Sequence, residues 1–150
     1  MKHLKKHGFL ILAILWTLLI FAFSLQSGDE SIVSSNIILD LLALVLPSLK
    51  DPAHLNIAIL IIRKTAHFTE YFILGYFYTK ATKETKLSWI LLVGCFVPVL
   101  DETLQLFSPG RSASPIDSGI DLSGYLSALI ILGSITVLFG LFTGKRQVNK

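Results

Sequence analysis

The chain has 150 residues, 53% of them hydrophobic and only 15% charged, with a formal net charge of +3. An ordinary soluble domain carries about 25% charged residues, so a water-soluble globule is disfavoured. The basic residues sit in short, separated segments rather than a stripe, which argues against a nucleic-acid surface; the lone Cys95 excludes an internal disulfide and any cysteine-based metal cluster.

The apolar residues fall into long runs, close to the about 20 residues a helix needs to cross a bilayer. Met1 to His7 holds Lys2, Lys5 and Lys6, and residues 8–25 are then apolar apart from Thr17 and Ser24. A basic start before an apolar run also describes a signal peptide. This run is long for one and no Ala-x-Ala site follows, so a retained first transmembrane helix is predicted over 8–25. Gln26 to Asn56 is more polar, with Asp29, Glu30, Asp40 and Asp51 against Lys50. Within it Ile32, Val33, Ile37, Leu41, Leu44 and Val45 recur at helical spacing. Ser31, Ser34, Ser35, Asn36 and Asp40 make it a poor span, so an amphipathic helix lying in the interface is predicted over 30–46, ended by Pro47. A fifth crossing is the alternative.

Residues 55–79 form the second predicted span. Its first half carries Arg63, Lys64, His67 and Glu70; its second half is apolar and aromatic. A short basic loop, Lys80 to Lys86, leads to a third span over 87–107, uncharged until Asp101 and Glu102 and interrupted by Pro98. Ser108 to Pro115 is a tight polar loop. The fourth span, 116–143, opens with Asp117 and Asp121 and is followed by Lys145, Arg146 and Lys150. The expectation is an all-α membrane protein: one domain over 1–150, four transmembrane helices and an outer interfacial helix.

Cytoplasmic flanks of membrane proteins collect Lys and Arg. With four spans and both termini cytoplasmic, the inner segments receive nine of the 13 basic residues and one of the ten acidic ones. A fifth span would put the Lys80–Lys86 loop and the C-terminal tail on opposite sides. In the four-span arrangement Lys64, His67, Glu70, Asp101, Glu102, Gln105, Arg111, Asp117 and Asp121 all converge on the outer half of the membrane. Charges at depth cost a few kcal/mol each and usually face a protein interior or a wet cavity.

The spacing lets each helix turn its polar groups toward one axis. Lys64, His67 and Tyr71 share a face, as do Asp101 and Gln105, and Asp117, Asp121 and Gly124. Gly124, Ser127 and Ala128 allow close helix approach. Carboxylates held in different environments suit acid/base work by Asp101, Glu102 and Asp117, with His67 as a proton carrier. The same acids would attract a divalent cation through hard oxygen ligands. Lys64 and Arg111 could engage a phosphate, and Gln105, Tyr71 and Asp121 would complete the binding surface. Simpler roles compete with each: an ion-pair network pinning helices for the acids, snorkelling for Arg63 and Lys64, packing for His67 and the tyrosines, and a helix cap for Asp117.

Three patches carry a resemblance. They are Arg63-Lys64-Thr65-Ala66-His67-Phe68 with Tyr71, Leu74 and Gly75; Asp101-Glu102 with Gln105, Phe107, Pro109, Gly110 and Arg111; and Asp117 followed by Gly124. Here the chain resembles the VanZ-like family of bacterial membrane proteins, whose members tend to have Asn where this chain has Asp121. The resemblance implies a plasma-membrane protein of four to five spans, in a family named for an accessory factor in teicoplanin resistance. It supplies no reaction. Combined with the residues, it leads us to expect an outer polar site for an anionic envelope lipid or lipid-linked cell-wall intermediate. A small proton- or cation-coupled transporter and a structural, partner-binding membrane module are the alternatives.

Overall fold

The computed structural model describes residues 2–81 and 87–144. Residues 82–86 of the expected basic loop, and Lys145, Arg146 and Lys150 of the tail, lie outside the described residues. Among those described there are five α-helices and no strand: α1 (Lys2–Ser24), α2 (Gly28–Ala43), α3 (Leu55–Ala81), α4 (Leu87–Gln105) and α5 (Pro115–Gly144), with a 3-10 turn at Pro47–Lys50. Helices occupy all five stretches expected to be helical, with ends shifted by up to six residues.

The shifts have local causes. α2 starts before residue 30 because Ser27 and Glu30 form a capping box: the Glu30 backbone N–H donates to Ser27 Oγ, and the Ser27 N–H donates to Glu30 Oε2 at 2.8 Å. Donation to the exposed Glu30 carboxylate by the Ser27 N–H, and by the Ser27 hydroxyl at 2.9 Å, holds its pKa below the usual value. α2 ends at Ala43 because the residue before a proline avoids helical backbone angles, and Leu46, ahead of Pro47, has φ −128° and ψ 79°. α4 runs through Pro98 and stops at Gln105, where Leu106 and Phe107 turn back to the Thr103 and Leu104 carbonyls. Pro115 opens α5, a position where its missing N–H is harmless, and the Asp117 N–H donates to Ser114 Oγ at 3.4 Å.

α3 is the central helix. It packs on α1, α2, α4 and α5, and its interface with α5 is the most extensive. Two glycines make that interface close. A Cβ at Gly75 would lie 2.6 Å from the Tyr125 carbonyl oxygen, and one at Gly124 would overlap the Phe68 carbonyl. Gly94 on α4 likewise leaves room for the Tyr125 ring. The apolar core between these helices includes Ile20, Tyr71, Leu74, Val97 and Tyr125.

The distribution of polarity is inside-out. Asp101, Glu102, Gln105 and Asp121 are buried at 5% exposure or less, whereas Leu18, Ile37, Leu41, Val99, Ile130 and Phe139 are exposed. α2 itself buries Ser35 and Leu39 and turns Ile32, Val33, Ile37 and Leu41 outward. Exposed apolar surface on this scale marks a membrane or partner contact. Among the described residues one stretch, Pro115–Leu141, is long and apolar enough to cross a membrane; Gly8–Ser24 and Gly28–Ala43 meet the same measure together, as a pair bent by 111°.

Candidate functional site

The bend between α1 and α2 is held by the loop after α4. A helix end leaves carbonyls without partners, and two at the end of α1 are taken up by this loop: Ser108 Oγ donates to the Ser24 carbonyl at 3.0 Å, and Arg111 Nη1 to that of Phe23 at 2.9 Å. A cation there also suits the negative end of the helix dipole. The Gly28 N–H donates to the Pro109 carbonyl at 2.8 Å, and a Cβ on Gly28 would press on the Gly110 backbone. Gly110 has φ +71°, the left-handed region that glycine tolerates best. The Ser108-Pro109-Gly110-Arg111 string is thus a clamp across the α1–α2 turn.

Beneath the clamp α3, α4 and α5 bring their polar residues together. His67, Asp101, Glu102 and Asp121 each offer one ligand atom, and these four atoms lie within 4.8 Å of one another. His67 Nδ1 is 3.1 Å from Asp121 Oδ1. Asp101 accepts from the Ser24 hydroxyl of α1. Glu102 is held twice: Gln105 Nε2 donates to its Oε1 at 3.1 Å, and the Ser114 backbone N–H donates to its Oε2. This second bond ties the end of α4 to the start of α5. Glu70 lies within electrostatic reach of His67, Asp101, Asp121 and Arg111.

The pairing is incomplete. Among the described residues three buried polar atoms have no hydrogen-bond partner: Tyr71 Oη, Arg111 Nε and Asp121 Oδ2. Tyr71 faces Asp101 without a bond of regular geometry. Such orphans are rare in folded proteins, because each forfeits hydration with nothing in return.

Of the residues singled out in the sequence, His67, Asp101, Glu102, Gln105, Tyr71 and Asp121 meet in this cluster. Asp117 stands one turn of α5 away, and its carboxylate is bonded to Lys64 Nζ instead. Lys64 therefore faces α5, alongside a second, shallow cavity that includes Phe68, Ile120 and Ser123. Arg111 lines the other cavity, of about 260 Å³, together with His67, Glu70, Ser24 and Arg63. Its apolar walls include Phe23, Ile38 and Ile62. Burial, and the nearby Arg63, pull the Arg111 pKa below its ordinary value, yet a guanidinium remains a cation at any physiological pH.

Arg63 and Ser24 were not distinguished by the sequence pattern. Arg63 reads as a snorkelling residue beside Lys64, and only the rotation of α3 decides which of the two faces the cavity. Ser24 is one hydroxyl in an apolar run, and no spacing rule ties it to Asp101, 77 residues away.

No curated protein matches this chain, and neither does any solved structure. A family model described as VanZ/LLP1 matches residues 9–139, which takes in α2, α3, α4, the clamp, the polar cluster and most of α1 and α5. The chain belongs to the VanZ/LLP1 family.

Proposed function

We propose that this chain is a multi-pass protein of the bacterial plasma membrane whose cavity lined by Arg63 and Arg111 binds the phosphate of an anionic envelope lipid or lipid-linked cell-wall intermediate. α1, α3, α4 and α5 span the bilayer with both termini cytoplasmic, and α2 lies in the outer interface with Ile32, Val33, Ile37 and Leu41 toward the acyl chains. The cavity then opens to the outer leaflet.

One observation carries the reading. Arg63 and Arg111 line the same cavity, sit close enough to repel each other, and are not ion-paired among the described residues. Two guanidiniums lining one cavity are stabilised by an anion held there, and Arg recognises phosphate through parallel hydrogen bonds. The apolar walls suit the start of a lipid chain, and the buried Nε of Arg111 still has a proton to donate. His67 and Glu70 line this cavity as groups able to exchange protons with a bound headgroup, and Asp101 lies behind its wall, bonded to Ser24. Lys64 and Asp117 neutralise each other and brace α3 on α5.

A structural module has one feature in its favour, the Lys64–Asp117 and His67–Asp121 pairs. A purely structural network would close over its polar atoms, and this one leaves three buried atoms without partners.

The test is susceptibility to teicoplanin and related glycopeptides in matched cells. The cells would carry the wild type, Arg111→Gln, Glu102→Gln or an empty vector, with equal membrane levels verified. Protection by the wild type that both variants lose is the expected result. Equal protection by wild type and both variants would reduce the cluster to packing. No protection by the wild type would remove the glycopeptide link.

A further inference from the structure

We propose that His67, Asp101, Glu102 and Asp121 form a binding site for one divalent first-row transition cation. The four residues come from three different helices, and their candidate ligand atoms are confined within 4.8 Å of one another. Four ligands at about 2.1 Å from a tetrahedral ion lie about 3.4 Å apart, so the cluster needs only a slight contraction around an ion. The three carboxylates are all buried at 5% exposure or less, and Lys64 is bonded to Asp117 rather than to any of them.

A gathering of acids is not by itself a site. What points to a ligand here is Asp121. It is fully buried, at 0% exposure, and its Oδ2 has no hydrogen-bond partner among the described residues. A cation in the centre of the four residues would satisfy Asp121 Oδ2 and offset two of the three negative charges. The remaining bonds to the carboxylates act as an outer shell that orients them: Ser24 on Asp101, and Gln105 and the Ser114 N–H on Glu102. Three oxygen ligands with one imidazole suit Zn²⁺, Mn²⁺ or Fe²⁺ better than Mg²⁺, which prefers all-oxygen, water-rich shells. With the cation bound, the cluster beside the cavity that also holds His67 would carry one net negative charge in place of three, which weakens its repulsion of an anion at Arg63 and Arg111. The inference stands without the lipid reading, since the ion's ligands are protein atoms alone.

The full chain would be purified in detergent without a metal-binding tag, stripped with chelator and dialysed. Bound metal would then be counted by mass spectrometry after adding Zn²⁺, Mn²⁺ or Mg²⁺, and thermal melting followed in parallel. The wild type should retain about one equivalent of Zn²⁺ or Mn²⁺. At a hundredfold excess over the dissociation constant it should melt about 5–10 °C higher than the stripped protein. Asp121→Asn and Glu102→Gln should lose at least tenfold in retention, while Asp40→Asn, on the exposed face of α2, should behave as wild type. A stripped wild type that neither retains nor is stabilised by any of the three ions overturns the site, as does full retention by Asp121→Asn. If the substituted proteins do not fold, the wild-type response decides alone. No lipid is present, so failure here leaves the phosphate reading to its own test, and success does not prejudge it.

Discussion

Alanine at Gly124 should open the α3–α5 interface at the level of the polar cluster. A Cβ there would overlap the Phe68 carbonyl oxygen and come within 3.0 Å of its carbon. Both atoms are backbone, so no rotamer change can relieve the clash. The helices must separate by roughly 1 Å before the contact becomes ordinary. Phe68 follows His67, and Gly124 lies one turn after Asp121, so the same movement would stretch the His67–Asp121 contact of 3.1 Å beyond hydrogen-bonding length. Overpacking of this kind costs about 1–3 kcal/mol, which for a chain of this length lowers the melting temperature by about 3–10 °C. Gly119→Ala supplies the control on the same helix. Nothing lies within 4 Å of a Cβ at Gly119, and replacing glycine in a helix gains roughly 0.5–1 kcal/mol. Thermal unfolding of the three purified proteins, followed by circular dichroism, gives the comparison. If Gly124→Ala melts with the wild type, or Gly119→Ala loses as much, the close approach of α3 and α5 is wrong.

Other substitutions probe separate contacts. Tyr71→Phe removes a buried hydroxyl that has no partner, so its melting temperature should equal or slightly exceed the wild type; a large loss would mean the hydroxyl is bonded after all. Lys64→Ala and Asp117→Ala should each destabilise, with a coupling energy of about 1–3 kcal/mol in the double-mutant cycle for this half-buried pair; a coupling near zero would show the two side chains apart. Ser27→Ala should cost about 1 kcal/mol by removing the N-cap of α2, read as lost helicity or faster amide exchange in that helix. The cap is also pH-sensitive. Glu30 has a lowered pKa, so its contribution is complete above the ordinary carboxylate range and is lost as pH falls through the folded value; α2 should loosen on acidification in the wild type and far less in Glu30→Gln.

The helices were legible because their apolar runs are long and their breaks are chemically marked by Pro47, by Ser108-Pro109-Gly110 and by Pro115. The convergence of His67, Asp101, Glu102 and Asp121 was also legible, since each lies at a fixed position along its own helix and α3, α4 and α5 pack so as to bring those positions together. The capping box was present as Ser27-x-x-Glu30 and could have placed the start of α2. Which medium an apolar stripe faces was not legible on α2: periodicity shows that Ile32, Val33, Ile37 and Leu41 share a side, and only packing shows that they point away from the protein. The division of labour between Arg63 and Lys64 was likewise hidden. Adjacent residues on a helix differ by about 100°, and the rotation of α3 against α5 sends Lys64 to Asp117 and Arg63 to the cavity.

That the Arg63–Arg111 cavity takes a phosphate-bearing lipid of net negative charge is tested most directly by native mass spectrometry. The protein would be released from micelles containing either phosphatidylglycerol or phosphatidylcholine, which both carry a phosphate but differ in net charge. The account predicts one phosphatidylglycerol retained per wild-type chain in preference to phosphatidylcholine, and loss of that preference in Arg63→Gln/Arg111→Gln with its fold intact. Equal retention of both lipids by the wild type, or an unchanged preference in the double variant, would contradict it.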